Sequence, residues 1–197
     1  MAGFVVLEGI DGCGKSSVAK AVVDAVGERA LLTFEPTDSW IGEAVRKGDG
    51  RNISPYTDAL LFMADRAQHT LEIADRVREG RLVVSDRYYH STVAYQTAAL
   101  KAAGKGDNFD WLLDANTRIS LRPDITFIVL IDPELALERV GRRGKLSRFE
   151  RLEFLKEVQA NYERLAELDD TVVRLDGKEP LEKVVGRVLE RLREAKL

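Results

Sequence analysis

The sequence predicts an α/β fold, a five-stranded parallel sheet doubly wound with helices in three layers. Three observations carry this. Short apolar runs at 4–7, 31–34, 82–86, 125–131 and 172–173 alternate with segments whose apolar residues recur every three or four positions. The strand runs are apolar on consecutive rather than alternate residues, as buried parallel strands are. A glycine-rich turn, Gly9-Ile10-Asp11-Gly12-Cys13-Gly14-Lys15-Ser16, joins the first strand run to the first helical one.

In order, the run 4–7 is the first strand, and Val18, Val22 and Val26 mark one face of the first helix. Leu31-Leu32-Thr33-Phe34 is a short second strand stopped by Pro36. Ser39 caps a short helix carrying Ile41, Val45 and Arg46, and Gly48 and Gly50 mark the loop after it. Ser54-Pro55, a cap followed by a first-turn proline, opens the longest helix, which runs to about Glu79 and stops at Gly80. Leu60, Met63, Ala67, Leu71 and Ala74 are expected to face inward from it, whereas Phe62 and Arg66, four apart, share a different face. Residues 82–86 form a third strand ending in the acid Asp86. Helices follow at 90–103 and 109–119, with a break at 104–107 between them. The run 125–131 is the most hydrophobic and is expected at the centre of the sheet. Asp132-Pro133-Glu134 reads as cap, first-turn proline and first-turn acid of the next helix. Leu155, Val158, Tyr162 and Leu165 give a helix, Val172-Val173 a last strand, and Leu181, Val184, Val188 and Leu192 a closing amphipathic helix.

No repeat or low-complexity tract interrupts this alternation, and 197 residues suit one domain, 1–197. The net charge of -3 gives no general pull toward nucleic acid. One cysteine allows no intrachain disulfide and suits a reducing, cytoplasmic setting. No run reaches the roughly 18 apolar residues of a membrane helix. The first strand begins within a few residues of the start, leaving no room for a signal peptide.

The glycine-rich turn fits G-x-x-x-x-G-K-[ST], the phosphate-cradling P-loop, in its strand–loop–helix setting. Its glycines let backbone N–H groups turn inward, and the helix N-terminus adds partial positive charge. Residues 9–17, Ser17 included, are therefore assigned to ATP as co-substrate. Lys15 would reach the β and γ phosphates, and the Ser16 hydroxyl would ligate Mg²⁺. Ligands of a doubly wound sheet collect at C-terminal strand ends, here the P-loop, Glu35-Pro36-Thr37, Asp86-Arg87 and Asp132. Asp132 is more simply a helix cap, and Glu35 has a bridge to a nearby arginine as its plain alternative. Arg66 has a surface ion pair with Asp65 or a Glu72-side neighbour as its own. Cys13, near a helix N-terminus, has two readings: a thiol of lowered pKa or a small residue tolerated in the loop. His69 and His90 lack ligand-like partner spacing. A switch GTPase is excluded, because Asn-Lys-x-Asp is absent and Asp86 is followed by Arg87-Tyr88-Tyr89 instead of a glycine motif.

Six further segments follow at fixed spacing: 7–12 (Leu-Glu-Gly-Ile-Asp-Gly), Glu35-Pro36-Thr37, 61–66 (Leu-Phe-Met-Ala-Asp-Arg), Asp86-Arg87-Tyr88, 91–96 (Ser-Thr-Val-Ala-Tyr-Gln) and Ser147-Arg148-Phe149-Glu150. In this combination the chain resembles the thymidylate kinases over nearly its whole length. It lacks the Gly-Gly-Thr extension common after the second strand of bacterial members, which suggests an archaeal-type variant. The resemblance implies a P-loop NTPase fold of the nucleoside monophosphate kinase kind. It also implies transfer of the γ-phosphoryl group of ATP to dTMP, giving dTDP and ADP. Another small P-loop kinase, acting on a different nucleoside monophosphate or deoxynucleoside, is the alternative. By resemblance, Phe62 stacks on thymine and Arg66 bonds its carbonyl oxygen. Ser91, Thr92 and Gln96 belong to the same acceptor site, Thr92 and Gln96 at the base edge, and Tyr95 lies under the deoxyribose. Asp11 contacts the 3′-hydroxyl region, Arg87 and Arg46 hold the acceptor phosphate, and Asp86 places Mg²⁺. The basic segment 139–151 becomes a lid over about 141–149, whose Arg143 and Arg148 supply catalytic charge. The family also implies a homodimer, for which the half-apolar long helix offers a surface.

Overall fold

The computed structural model describes residues 2–49, 51–141 and 152–197. Strands β1 (Gly3–Glu8), β2 (Ala30–Phe34), β3 (Leu82–Asp86), β4 (Ile125–Leu130) and β5 (Val172–Asp176) form one sheet in the order β2-β3-β1-β4-β5. All pairings are parallel. Parallel neighbours need crossovers, and the helices supply them: α1 (Lys15–Val26), α2 (Trp40–Gly48), α3 (Pro55–Arg78), α4 (Tyr89–Ala102), α5 (Phe109–Ile119), α6 (Pro133–Gly141), α7 (Leu152–Leu168) and α8 (Leu181–Glu194). β1 is buried along its whole length, as a strand covered on both faces must be. Among the described residues no helix is long and apolar enough to cross a membrane.

The expected fold is the observed one, with local differences. β4 is interior, but β1 holds the middle of the sheet. Apolar content reports how well helices cover a strand, not its place in the order. Because β3 and β4 flank β1 on opposite sides, the winding reverses at β1. A crevice opens there at the C-terminal strand ends. β5 runs three residues beyond Val172-Val173, since exposed Arg174 and Asp176 interrupt its apolar pattern without ending it. α2 continues through Gly48, so the loop begins later than the glycine suggested.

The largest correction concerns α3. Leu60 and Leu71 are exposed, and Met63, Ala67 and Ala74 are only partly covered. The buried face instead carries Asp58, Ala59, Asp65, Arg66, His69 and Ile73. Polar groups take that face because each finds partners there. Asp65, for example, accepts from the Thr37 amide at 2.7 Å, the Thr37 hydroxyl at 2.6 Å and the Ser39 hydroxyl at 3.1 Å. α2 closes on the same loop so tightly that a Cβ on Gly42 would lie 1.9 Å from the Thr37 carbonyl oxygen.

Candidate functional site

The P-loop connects β1 to α1. Gly9 and Gly12 have φ of 136° and 86°, in the region open mainly to glycine. A Cβ at Gly12 would sit 2.3 Å from the Ala136 carbonyl oxygen. Ile10 and Cys13 are buried in the core, which anchors the loop from below. Burial pushes the Cys13 thiol up, and the opposing charge of Lys15 does not reverse it. The thiol is therefore not activated, and the lowered-pKa reading is set aside. Gly14 stands at the N-cap of α1 and offers its amides no side-chain acceptor, so the helix start is available to an anion. Lys15 is buried with Nζ 3.5 Å from Asp11 Oδ1. Ser16 and Ser17 are exposed on the first turn.

Beside the P-loop lies a cleft of about 160 Å³. Asp11 lines it from the P-loop, Glu35 from the end of β2, and Arg87 from the end of β3. Phe62 and Arg66 come from α3, and Ser91, Thr92, Tyr95 and Gln96 from α4. Helical spacing explains the last two groups, since positions 62 and 66, and 91, 92, 95 and 96, share a face.

Asp11 and Arg87 form the charged end of this cleft. Arg87 Nη2 donates to Asp11 Oδ1 at 2.6 Å and Nη1 donates to Ser91 Oγ at 2.8 Å. The Tyr95 hydroxyl lies 3.2 Å from Asp11 Oδ2, and the Arg87 guanidinium sits 5.0 Å from the Tyr95 ring centroid. Burial raises the Asp11 carboxyl, but Arg87 and then Lys15 outweigh it and hold the acid ionised well below the usual range. Burial likewise works against the Arg87 charge, and Asp11 together with Tyr95, Tyr162 and Glu8 more than offsets it. Burial lifts the Tyr95 phenol far above its ordinary range, against Arg87. Arg87 has φ of 75°, a left-handed conformation that costs a residue with a side chain roughly 1–3 kcal/mol. The backbone is held there by the Arg87 amide on Leu7 O at 2.9 Å and by Ser85 Oγ on Arg87 O at 2.7 Å.

At the other end Arg66 is almost wholly buried, donating to Glu35 Oε2 at 2.5 Å and to Asn116 Oδ1 at 2.6 Å. The surface pairing with Asp65 or a Glu72-side neighbour does not occur, and Glu35 makes the arginine bridge that was its plainer reading. Arg66 Nε and Gln96 Oε1 are buried with no partner among the described residues.

Arg46 is not in the cleft. Its guanidinium donates to the carbonyls of Pro36 and Thr37 at 3.0 and 2.6 Å, which fastens α2 to the loop after β2. Asp132 caps α6 by accepting the Glu134 amide at 2.9 Å. The lid, with Arg143 and Arg148, falls outside the described residues apart from Gly141. Asp86 ends β3 with Oδ1 buried and unpartnered among the described residues.

Sequence reasoning missed Glu8. Fully buried at the end of β1, its carboxylate accepts from the amides of Tyr88 and Ser91 at 2.8 and 3.1 Å and from the hydroxyls of Ser91 and Tyr162 at 2.6 and 2.9 Å. The available signal was an acid closing an otherwise apolar strand just before the P-loop.

Comparisons with known proteins fit this architecture. A family profile described as thymidylate kinase matches residues 7–188. The chain is 36% identical to a probable thymidylate kinase of Archaeoglobus fulgidus over 95% of its own length and 94% of that protein. It is 38% identical to one from Methanospirillum hungatei, over 94% and 93% of the two chains. The solved structure of thymidylate kinase from Candida albicans superposes with a TM-score of 0.82, covering 99% of this chain and 92% of that one at 23% identity, which speaks to the fold. A match across nearly the whole chain, in family profile and in full-length relatives, places this protein in the thymidylate kinase family.

Proposed function

We propose that the cleft is the acceptor site and that the P-loop stands between it and the donor nucleotide. The chain is a thymidylate kinase, transferring the γ-phosphoryl group of ATP to dTMP to give dTDP and ADP. The observation that carries the site assignment is a pair of cavities separated by one loop. Asp11 lines the cleft, while Cys13, Gly14 and Ser17 line a second cavity of about 230 Å³ with Arg139, Gly177 and Glu179. A donor base held in the second cavity leaves its phosphates on the P-loop, with the γ end toward the acceptor.

Within the cleft, Phe62 supplies the stacking face for thymine. Arg66 Nε–H meets a ring carbonyl, and Gln96 Oε1 accepts the ring N–H beside it, with Thr92 at the same edge. This pairing satisfies the two buried atoms that lack partners. Tyr95 packs under the sugar and crowds a 2′-hydroxyl, and Asp11 takes the 3′-hydroxyl. Arg87, steadied by Ser91, holds the acceptor phosphate. Phosphoryl transfer demands alignment and charge neutralisation rather than covalent help from the protein. Lys15 and Arg87 provide positive charge from two sides, and the lid residues Arg143 and Arg148 would add more on closing. Ser16 and Asp86 would hold Mg²⁺, a cation that takes one or two protein oxygens and the rest from phosphates and water. The orphaned Asp86 Oδ1 fits that donor set. When bound, the ion neutralises charge on the phosphates.

The same proposal covers the chain's setting. Residues 1–197 act as one domain, with the lid at about 141–149 as part of it. The exposed Leu60 and Leu71 of α3 are the surface on which two copies pair, and the single free thiol suits the cytoplasm. Relatives give no support to a different acceptor. A coupled assay of ADP release with dTMP, dUMP, dCMP, dGMP and thymidine tests the acceptor assignment. dTMP is expected to have the highest kcat/KM, and equal or better use of another acceptor would overturn it.

A further inference from the structure

Two residues outside the cleft, Asn116 and His69, are bonded to the groups that face it. Asn116 is buried in α5 and its Nδ2 donates to the Leu112 carbonyl at 2.7 Å, so its oxygen must point the other way, at Arg66 Nη1. Glu35 receives Arg66 Nη2 on Oε2 and faces His69 Nδ1 with Oε1 at 3.0 Å. A carboxylate only accepts, so Nδ1 carries the imidazole proton. Nε2 meets the Thr33 hydroxyl at 2.6 Å. A single line of bonded side chains therefore runs Thr33–His69–Glu35–Arg66–Asn116, crossing β2, α3 and α5. Neither Asn116 nor His69 lines the cleft.

We infer that Asn116 and His69 are positioning residues that set which bases the acceptor site takes, by fixing the guanidinium of Arg66. Both terminal nitrogens of Arg66 are anchored, which fixes the guanidinium plane, and Nε is its nitrogen with no partner among the described residues. Held so, Arg66 presents donors along fixed directions and no acceptor. A ring carbonyl accepts it. An exocyclic amino group at the same ring position, as in a cytosine base, would set donor against donor in a buried site, which strongly disfavours binding. An unanchored arginine could swing aside and tolerate either group. The anchors thus act on base choice more than on affinity for the donor nucleotide.

This inference rests on the cleft being the dTMP site, and the variants separate the two. Arg66→Ala is the reference: it is expected to raise the KM for dTMP about 10- to 100-fold. Asn116→Leu and His69→Leu are expected to raise it about tenfold and to shrink the dTMP-over-dCMP ratio of kcat/KM by a similar factor. They should lower kcat less and leave the KM for ATP within about twofold of the parent. Asn116→Asp restores an acceptor facing Arg66 and His69→Gln restores a donor facing Glu35, so both should recover most of the ratio. Where a leucine variant does not fold, Asn116→Ser, too short to reach Arg66, is assayed in its place. Folded variants that keep the parental ratio overturn the inference. So do variants that lose dTMP and ATP use alike, or whose ratio the conservative substitutions fail to restore. If Arg66→Ala itself leaves dTMP use intact, the assignment of Arg66 to the base fails instead.

Discussion

Replacing Glu8 with alanine is expected to unfold the chain at a markedly lower temperature than replacing it with glutamine. Tyr88, at the N-cap of α4, makes no side-chain cap, and the Glu8 carboxylate takes over that duty from the end of β1. In the alanine variant the Tyr88 amide loses its acceptor inside a fully buried site, while the Ser91 amide keeps its bond to the Tyr88 carbonyl at 3.1 Å. The hydroxyls of Ser91 and Tyr162, 2.9 Å apart, can still pair with each other. One orphaned buried donor costs about 1–3 kcal/mol before any cavity term. At about 2–4 °C per kcal/mol for a chain of this size, the Tm falls by about 2–12 °C, and by more once the cavity is counted. Glutamine keeps a carbonyl oxygen for the two amides, while its NH₂ can face hydroxyls free to turn and accept, so no donor is orphaned and its loss should be under about 1 kcal/mol. Thermal unfolding followed by circular dichroism gives both numbers. An alanine variant melting within 2 °C of the parent, or a glutamine variant as damaged as the alanine one, would refute the capping role.

Lys15→Ala should cut kcat by orders of magnitude with the fold intact, because the lysine meets charge on the transferring phosphoryl; near-normal turnover in the folded variant would sink the P-loop assignment. Arg148→Ala and Arg143→Ala should lower kcat far more than they raise the KM for dTMP, Arg148 more strongly, and a pure KM effect would leave the lid a cover only. The third expectation concerns acid stability. Burial raises the Asp169 carboxyl, but hydrogen bonds from His90 and from the Thr171 amide and hydroxyl outweigh it, leaving the acid well below its usual range. Its contribution to stability is therefore complete above the unfolded pKa, about 3.9, and lost as pH falls through the depressed folded value. Urea unfolding at a series of pH values should show a shallower acid-side decline for Asp169→Asn than for the parent, and parallel curves would count against it.

The sheet and its helices could be read from local pattern, and most of the cleft lining from the family resemblance. Ser54-Pro55 and Gly80 bracket α3 to within a residue or two, and the four-residue spacing of Phe62 and Arg66 places both on the cleft. What escaped depends on partners far away in the chain. Tyr162 bonds Glu8 from 154 positions off and Asn116 bonds Arg66 from 50, so no local spacing announces either. The face of α3 was misjudged for a related reason. Leucine and methionine at helical spacing read as core, yet burial here went to Asp65, Arg66 and His69, whose partners sit on other elements. Arg46 was misplaced because an arginine near a substrate loop is also well suited to bonding that loop's carbonyls.

The ion pair between Arg87 and Asp11 bears on how an anion enters the cleft. Arg87 is not an idle cation waiting for a phosphate, since one arm is already matched to a carboxylate and the other to Ser91. An arriving monophosphate exchanges one anionic partner for another, and the net electrostatic gain is a difference between two similar terms. Inorganic phosphate, with nothing else to offer the site, should then compete feebly. The base and sugar must furnish the remainder of the binding energy, through Phe62, Arg66 and Tyr95. Discrimination against the many small anions of a cell would come from that internal compensation, with no group set aside to repel them.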